Sequence, residues 1–178
     1  AARRMSELAE PFGAGLQLVN ILKDITDDLH RGWSFVPRSL CRANGVSNRD
    51  LSNPEYRTEA HRAVVPLFDL ARRNLDRALD YALSIPPEHG EVRLFCLLPL
   101  WLAVRTIGRA YGNDAMFTVE AEVKVSRLEV EEIIARCTSA VTDDGFLRAD
   151  YEAMWYPLAR VMAAGSTASA TLAEMDAA

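Results

Sequence analysis

Cysteine is scarce in this sequence, and its three cysteines, Cys41, Cys96 and Cys137, are too widely spaced for a disulfide framework or a zinc site. No apolar run reaches the roughly 20 residues that cross a membrane, and the nearest, residues 94–104, is short and contains Pro99. Basic residues do not dominate either. The sequence has 20 Lys and Arg residues and 25 Asp and Glu residues, so its net charge is −5, which argues against nucleic acid as a partner. We therefore expect reduced thiols in a cytoplasmic protein without a transmembrane segment.

The length and composition fit one folded domain. With 178 residues, of which 49% are hydrophobic, the chain can bury a sizeable core. It begins without Met and without an apolar signal core, so we expect residues 1–178 to be part of a longer domain. A Walker loop, a Rossmann glycine signature and a nucleophile elbow are all missing from the sequence.

Helical patterns run along the whole sequence, and no alternating strand of useful length interrupts them. The first predicted helix covers about residues 6–30. Pro66 should kink or divide the second helix and Pro99 should bend the third, because proline removes a backbone donor. The predicted fold class is all-α, with helices packed antiparallel through short loops. The later predicted helices cover residues 54–83, 91–111, 126–140 and 150–164, before a small-residue tail at 165–178 that we expect to fray.

Amides and carboxylates line one face of the first predicted helix. At about 100° per residue, Gln17, Asn20, Asp24 and Asp28 fall within a wedge of about 80°. Asp24 and Asp28 are like charges at i,i+4, and at about 6 Å they repel by roughly 0.7 kcal/mol in water and nearer 3 at an effective dielectric of about 20. Mg²⁺ would compensate, since it is commonly held by two carboxylates, waters and substrate phosphates. The alternative is that Asp24, Asp27 and Asp28 form a solvated acidic surface. In the metal interpretation Asp27, about 60° from Asp24 around the helix, is a bystander.

Several other residues allow two interpretations. Gly13 and Gly15 are costly inside a helix, which suggests the close approach of another helix or of a ligand. Phe95, Cys96 and Pro99 could line an apolar pocket, although an aromatic ring and a thiol in an apolar helix are more often core. Three cations could bind phosphate groups or could neutralise helix ends and surfaces, namely Lys23, Lys124 and Arg127.

Separated motifs in the sequence resemble the squalene/phytoene synthase family of head-to-head prenyltransferases. Residues 16–37 resemble its second aspartate-rich motif, L-Q-x-x-N-I-x-(R/K)-D-x-x-x-D and a following aromatic and proline, except that Trp33 stands where a basic residue is frequent. FCLLPLWLAVRTI at residues 95–107 is similar to the F-C-x-x-P helix of the squalene synthases in this family. AYGNDAMF and VKVSRLEV then follow in the family's order. The resemblance covers about residues 7–140.

The resemblance implies an isoprenoid-synthase fold, a helical bundle around an apolar cavity with two acidic helices at its mouth. This chain would be the C-terminal part of that bundle with one acidic motif, so we expect it to be inactive alone. The implied reaction joins two farnesyl diphosphates through presqualene diphosphate, which NADPH reduces to squalene, as in sterol or hopanoid biosynthesis. By position, Asp24 and Asp28 would ligate Mg²⁺, and Asn20 and Lys23 would contact the diphosphate. The cavity would be lined by Gln17, Phe95, Cys96 and Pro99. Lys124 and Arg127 would lie near the NADPH phosphates.

Two alternatives stay open at this point. A family member that stops short of reduction would make phytoene, dehydrosqualene or presqualene diphosphate, from farnesyl diphosphate or another prenyl diphosphate. A non-catalytic helical protein could keep the fold in order to bind a lipid or a partner. Peripheral contact with a membrane is compatible with each of these.

Overall fold

Helices make up most of residues 2–156, which are the residues that the structure, a computed structural model, describes. Those residues contain no strand, so the predicted all-α class is confirmed, and none of their helices is long and apolar enough to cross a membrane. The predicted tail at 165–178 and the end of the last predicted helix lie outside this range. The helices are α1 (Ala2–Lys23), α2 (Ile25–His30), α3 (Arg38–Ala43), α4 (Arg57–Ser84), α5 (Gly90–Ala110), α6 (Arg127–Ser139) and α7 (residues 144–156), with short 3₁₀ turns at Asn48–Ser52, Pro54–Tyr56 and Asp114–Phe117.

The core lies where α1, α4 and α5 pack against one another, and α6 packs against α5. Gly15 of α1 permits the closest of these approaches. A Cβ built on Gly15 would lie 3.1 Å from Leu75 Cδ2 and 3.3 Å from the backbone carbonyl carbon of Asn74 in α4. Gly13 has nothing within 4 Å of such a Cβ. The predicted close approach of another helix is therefore confirmed at Gly15. At Gly13 no described helix comes that close, and the approach of a ligand there stays a prediction.

The prolines leave their helices undivided. Pro66 lies inside α4, which runs without interruption from Arg57 to Ser84, and Pro99 lies inside α5. The expectation that Pro66 could divide its helix is wrong. One missing backbone hydrogen bond is outweighed here because Val64 and Leu67, two residues before and one after Pro66, are buried in the core.

The first predicted helix, in contrast, is two helices. α1 ends at Lys23 and α2 begins at Ile25, and Asp24 between them has φ −106° and ψ 19°. The prediction of one continuous helix over residues 6–30 is therefore wrong at this residue. Aspartate is a poor residue for a helix interior, and Ile25 and Thr26 bury their side chains in the next turn.

Arg93 is the one arginine in the core of the described chain. Its side chain is 0% exposed and donates to the carbonyls of Ile85 at 2.6 Å, Val141 at 2.8 Å and Leu83 at 3.2 Å. It also donates to Asp144 Oδ1 at 2.7 Å. The guanidinium thereby joins the turn before α5 to the turn before α7.

Side-chain caps mark the starts of the last two helices, α6 and α7. The predicted capping box at the start of α6 is confirmed, because Ser126 and Glu129 bond each other's backbone N–H groups. The last helix was predicted to begin at Asp150, whereas α7 begins at residue 144. Asp143 explains the earlier start, since its Oδ1 accepts from the backbone N–H of Phe146 at 2.9 Å and so caps the helix.

Candidate functional site

The polar face of α1 is open, and the opposite face is core. Gln17 and Asn20 are exposed, whereas Val19 and Leu22 are buried against the rest of the bundle. This separation follows from the helical period, which places residues three and four apart on one face. The predicted row of amides is therefore confirmed as an accessible surface that leads towards Asp24.

The two candidate ligand residues stay in register across the break at Asp24. The backbone N–H of Asp24 donates to the carbonyl of Asn20 at 2.9 Å, and that of Asp28 donates to the carbonyl of Asp24 at 2.9 Å. Hydrogen bonds at this i→i−4 spacing keep the three residues one helical turn apart. Asn20, Asp24 and Asp28 thus form one line of oxygen-bearing side chains from α1 into α2, which we call the acidic line.

Each of these carboxylates has a cation nearby. Lys23 Nζ lies 2.7 Å from Asp24 Oδ1, and Arg31 lies 3.9 Å from Asp28 Oδ1. Asp28 is the less accessible of the two, with a side chain 16% exposed against 34% for Asp24. Asp27, in contrast, points to solvent. The cations reduce the carboxylate repulsion that the sequence predicts, and they would also attract the oxygens of a bound phosphate.

The donor set suits a hard divalent cation. The side chains of Asp24 and Asp28 offer only oxygen atoms as ligands, which Mg²⁺ prefers. Both side chains are reachable from solvent. Among the described residues no three Asp, Glu, His or Cys side chains are grouped closely enough to hold a metal ion by themselves. Residues 24 and 28 therefore fit a Mg²⁺ ion that keeps several waters and takes further oxygens from a phosphate-bearing ligand.

The candidate pocket residues of α5 divide between its two faces. Phe95 is 81% exposed, whereas Cys96 is buried and Pro99 is partly buried. The core interpretation therefore holds for Cys96 and fails for Phe95. Burial raises the pKa of the Cys96 thiol, so at neutral pH this side chain stays protonated.

The two cations predicted near a nucleotide phosphate are exposed and paired with carboxylates. Lys124 forms an ion pair with Glu122, and Arg127 Nε lies 3.2 Å from Glu131 Oε1. Both lie at the entrance to α6, where the unpaired backbone N–H groups of the first turn favour anions. Their partners in this structure are carboxylates, and contact with a nucleotide phosphate stays a prediction.

A second basic pair was missed by sequence reasoning. Arg105 and Arg109 of α5 both reach Glu129, with N···O distances of 3.7 and 2.5 Å. Hydrogen bonds from the Ser126 hydroxyl and backbone N–H, and then the guanidinium of Arg109, lower the pKa of Glu129 to about 2. The i,i+4 spacing of the two arginines was the available signal, since it puts both on one face of the helix.

Comparison with known proteins decides the family. The family model described as squalene/phytoene synthase matches residues 1–129. The chain belongs to the squalene/phytoene synthase family. The matched range contains the acidic line of α1 and α2, the exposed Phe95 and both Lys124 and Arg127.

Individual relatives in this family are distant and longer. The chain is 26% identical to the squalene synthase of Yarrowia lipolytica over 117 residues, which is 66% of this chain and 26% of that protein. It is 26% identical to the squalene synthase of Schizosaccharomyces pombe over 128 residues, 71% of this chain and 27% of that protein. It is also 34% identical to the 15-cis-phytoene synthase of Pantoea ananas over 73 residues, 41% of this chain and 21% of that protein. The match therefore spans about a quarter of each relative's length.

Proposed function

We propose that this chain supplies one of the acidic motifs of a squalene synthase-like enzyme. That enzyme joins two farnesyl diphosphates head to head through presqualene diphosphate and reduces that product to squalene. The observation that carries the proposal is the line of Asn20, Asp24 and Asp28, held one turn apart by two backbone hydrogen bonds of 2.9 Å. It occurs in a chain of a family whose matched relatives are named as squalene synthases and a phytoene synthase.

In this proposal Asp24 and Asp28 hold Mg²⁺, which when bound neutralises the departing diphosphate. The ammonium of Lys23, 2.7 Å from Asp24, reaches the same diphosphate oxygens as they arrive. Asn20 and Gln17 donate amide hydrogen bonds from the exposed face that precedes the carboxylates. The substrate's charged end is thus bound along one continuous surface.

The apolar part of the proposed site must not capture a carbocation. Phe95 presents an aromatic ring without a nucleophilic atom, and Pro99 lies one turn further along α5. The thiols of this chain are withheld, because Cys41, Cys96 and Cys137 are all buried. Burial raises the pKa of Cys137 to about 12, and a protonated, buried thiol is a poor nucleophile.

NADPH is the proposed reductant, and when bound it supplies a hydride. Lys124 and Arg127 are the residues proposed to contact its phosphates. Both side chains are largely exposed, at 69% and 94%, so each could exchange its carboxylate partner for a phosphate without leaving a buried charge unpaired. Their contribution is binding alone, since neither carries a group that accepts hydride.

A second candidate function is a synthase that stops before reduction and releases phytoene, dehydrosqualene or presqualene diphosphate. Two observations favour it. Lys124 and Arg127 already have carboxylate partners, and one relative, 34% identical over 73 residues, is named as a 15-cis-phytoene synthase. The acidic line serves both functions equally, so only the product distinguishes them.

Product analysis of the intact protein that contains this chain separates the candidates. With farnesyl diphosphate and Mg²⁺, we expect squalene when NADPH is present and presqualene diphosphate or dehydrosqualene when it is absent. Identical products in both reactions would refute the reductive assignment. The absence of any turnover would favour a non-catalytic protein that binds a lipid or a partner.

One double variant and a matched control test the proposed nucleotide contact. Lys124→Gln with Arg127→Gln should raise the KM for NADPH about tenfold and leave the formation of presqualene diphosphate unchanged. Arg148→Gln is the matched control, because it removes an exposed arginine paired with Asp80 on another face. An unchanged KM in the double variant removes these two residues from the proposed nucleotide site.

A further inference from the structure

An open cavity of about 310 Å³ lies beside α3, and none of Asn20, Asp24 and Asp28 lines it. Its walls come from α3, from the 3₁₀ turn that follows and from the link between them, and five of the six lining residues are basic or polar. The lining residues are Arg38, Arg42, Val46, Ser47, Asn48 and Arg49.

The three arginines at this cavity have no carboxylate partner in the part of the chain that the structure describes. Among residues 3–156, none of Arg38, Arg42 and Arg49 has an Asp or Glu oxygen within 4.0 Å. The nearest acidic residue in sequence, Asp50, is already engaged, because its Oδ2 accepts from the backbone N–H of Ser47 at 2.8 Å. Three guanidinium groups without an ion-pair partner among the described residues form a local positive patch in a chain of net charge −5.

Two exposed aromatic residues stand next to the cavity. Trp33 and Phe35 are 63% and 50% exposed, and their rings meet edge to face with centroids 6.3 Å apart. The side chain of Asn48, which lines the cavity, donates to Ser34 Oγ at 2.8 Å and to the carbonyl of Val36 at 2.7 Å. The aromatic loop is therefore fastened to the cavity wall by the residues on both sides of Phe35.

We propose that this basic aromatic patch, formed by Trp33, Phe35, Arg38, Arg42 and Arg49, docks the protein onto the surface of an anionic lipid bilayer. Tryptophan and arginine suit a bilayer interface, since the indole ring sits at headgroup depth and guanidinium groups pair with lipid phosphates. Exposed aromatic rings beside these arginines match that chemistry more closely than a soluble anion, which would leave the rings in water.

Docking at this patch would bring the acidic line close to the membrane. The backbone N–H of Trp33 donates to the carbonyl of Asp28 at 2.8 Å, so the aromatic loop begins directly after the second carboxylate. An amphiphilic ligand could then pass between bilayer and site without crossing much water. The docking itself does not depend on the proposed function, and its test uses no activity measurement.

Vesicle co-sedimentation of the intact protein tests the docking. We expect binding to phosphatidylcholine vesicles that contain phosphatidylserine, weak binding to phosphatidylcholine alone, and release at high salt. Replacing Arg38, Arg42 and Arg49 together by Gln should weaken binding about 100-fold, at about fivefold for each arginine. The matched control removes the same charge elsewhere by replacing Arg3, Arg4 and Arg73 with Gln, and it should change binding less than about fivefold.

Tryptophan fluorescence gives an independent measurement. Trp101 and Trp155 are buried, at 1% and 2% exposed, so a blue shift on adding vesicles would report Trp33. Trp33→Phe should abolish the shift while leaving sedimentation nearly intact, and Trp33→Ser with Phe35→Ser should weaken both. Circular dichroism checks that each variant folds.

Several results would overturn the proposal. They are equal binding to neutral and anionic vesicles, no binding to either, an equal loss in the two arginine triples, or no blue shift from Trp33. Calorimetry with inorganic diphosphate adds one more: saturable binding that needs Arg38, Arg42 and Arg49, without vesicle binding, would show a soluble-anion site instead.

Discussion

The backbone N–H of Asp28 donates to the carbonyl of Asp24 at 2.9 Å, so the two carboxylates stay one helical turn apart although α1 and α2 are separate helices. The break at Asp24 therefore changes the helix without disturbing the spacing of its acidic residues. A pair at this spacing can approach one cation together, whereas Asp27, exposed on another side of α2, cannot join them.

The acidic pair yields the first prediction. In the intact protein, Asp24→Asn or Asp28→Asn should lower kcat/KM for farnesyl diphosphate about 100-fold, or about 2.7 kcal/mol, because one charged ligand of the proposed Mg²⁺ is lost. The Mg²⁺ concentration that gives half-maximal rate should also rise. Asp27→Asn is the matched control and should stay within about threefold of wild type. A loss at Asp27 as large as that at Asp24 contradicts the assignment.

Helix type and the separation of core from surface could be predicted from the sequence, because both follow from periodicity. Val19 and Leu22 fall on the buried side of α1, and the Ser126 capping box starts α6 as expected. Local patterns of this kind need only residues within one or two turns of each other. They identify a helix and its inner face reliably.

What could not be predicted depends on contacts distant in sequence. Arg93 is buried because carbonyls from residues 83, 85 and 141 converge on it, and no local pattern indicates this. The exposed position of Phe95 is likewise not indicated by any local pattern in its apolar helix. The polar row of α1 and α2 could be predicted because its residues share one helical face. The contact of Arg105 and Arg109 with Glu129 was missed because it joins two helices.

Arg93 should be a major determinant of stability. Arg93→Met leaves three buried carbonyls without their donor and should lower the free energy of unfolding by about 3 kcal/mol, measured by urea denaturation. Arg93→Lys should recover only part of this loss, because an ammonium group cannot reproduce the planar fork of donors. Arg148→Met, which breaks an exposed pair with Asp80, should cost less than about 1 kcal/mol. Equal losses at residues 93 and 148 would falsify this account.

Glu129 should make stability depend on pH in acid. Its pKa is held at about 2, mainly by hydrogen bonds from Ser126, compared with an ordinary value of 4.5. Because the folded-state pKa is the lower one, the stabilisation is complete above pH 4.5 and is lost as the pH falls towards 2. The difference in unfolding free energy between wild type and Glu129→Gln should therefore shrink over that range. Glu131→Gln, which removes a more exposed carboxylate from the same helix, should show little such change.

Ser126 gives a separate test of the same cap. Ser126→Ala removes the hydroxyl that bonds Glu129 Oε2 at 2.7 Å and accepts from the backbone N–H of residue 129. The expected loss is about 1 kcal/mol in the free energy of unfolding at neutral pH. Ser139→Ala is a suitable control, since its hydroxyl bonds only a carbonyl at the other end of α6. A cost at Ser139 that matches the one at Ser126 would mean that the cap adds nothing specific.

The two glycines of α1 should respond in opposite directions to the same substitution. Gly13→Ala adds a methyl group where nothing lies within 4 Å, so the better helix propensity of alanine should raise the free energy of unfolding by about 1 kcal/mol. Gly15→Ala gains the same propensity but forces its Cβ to 3.3 Å from the backbone of Asn74 in α4. Overpacking of this kind costs about 1–3 kcal/mol, so a net loss of about 1 kcal/mol is expected. Urea denaturation of both variants decides the matter, and a stabilised Gly15→Ala would show that α1 and α4 can separate without cost.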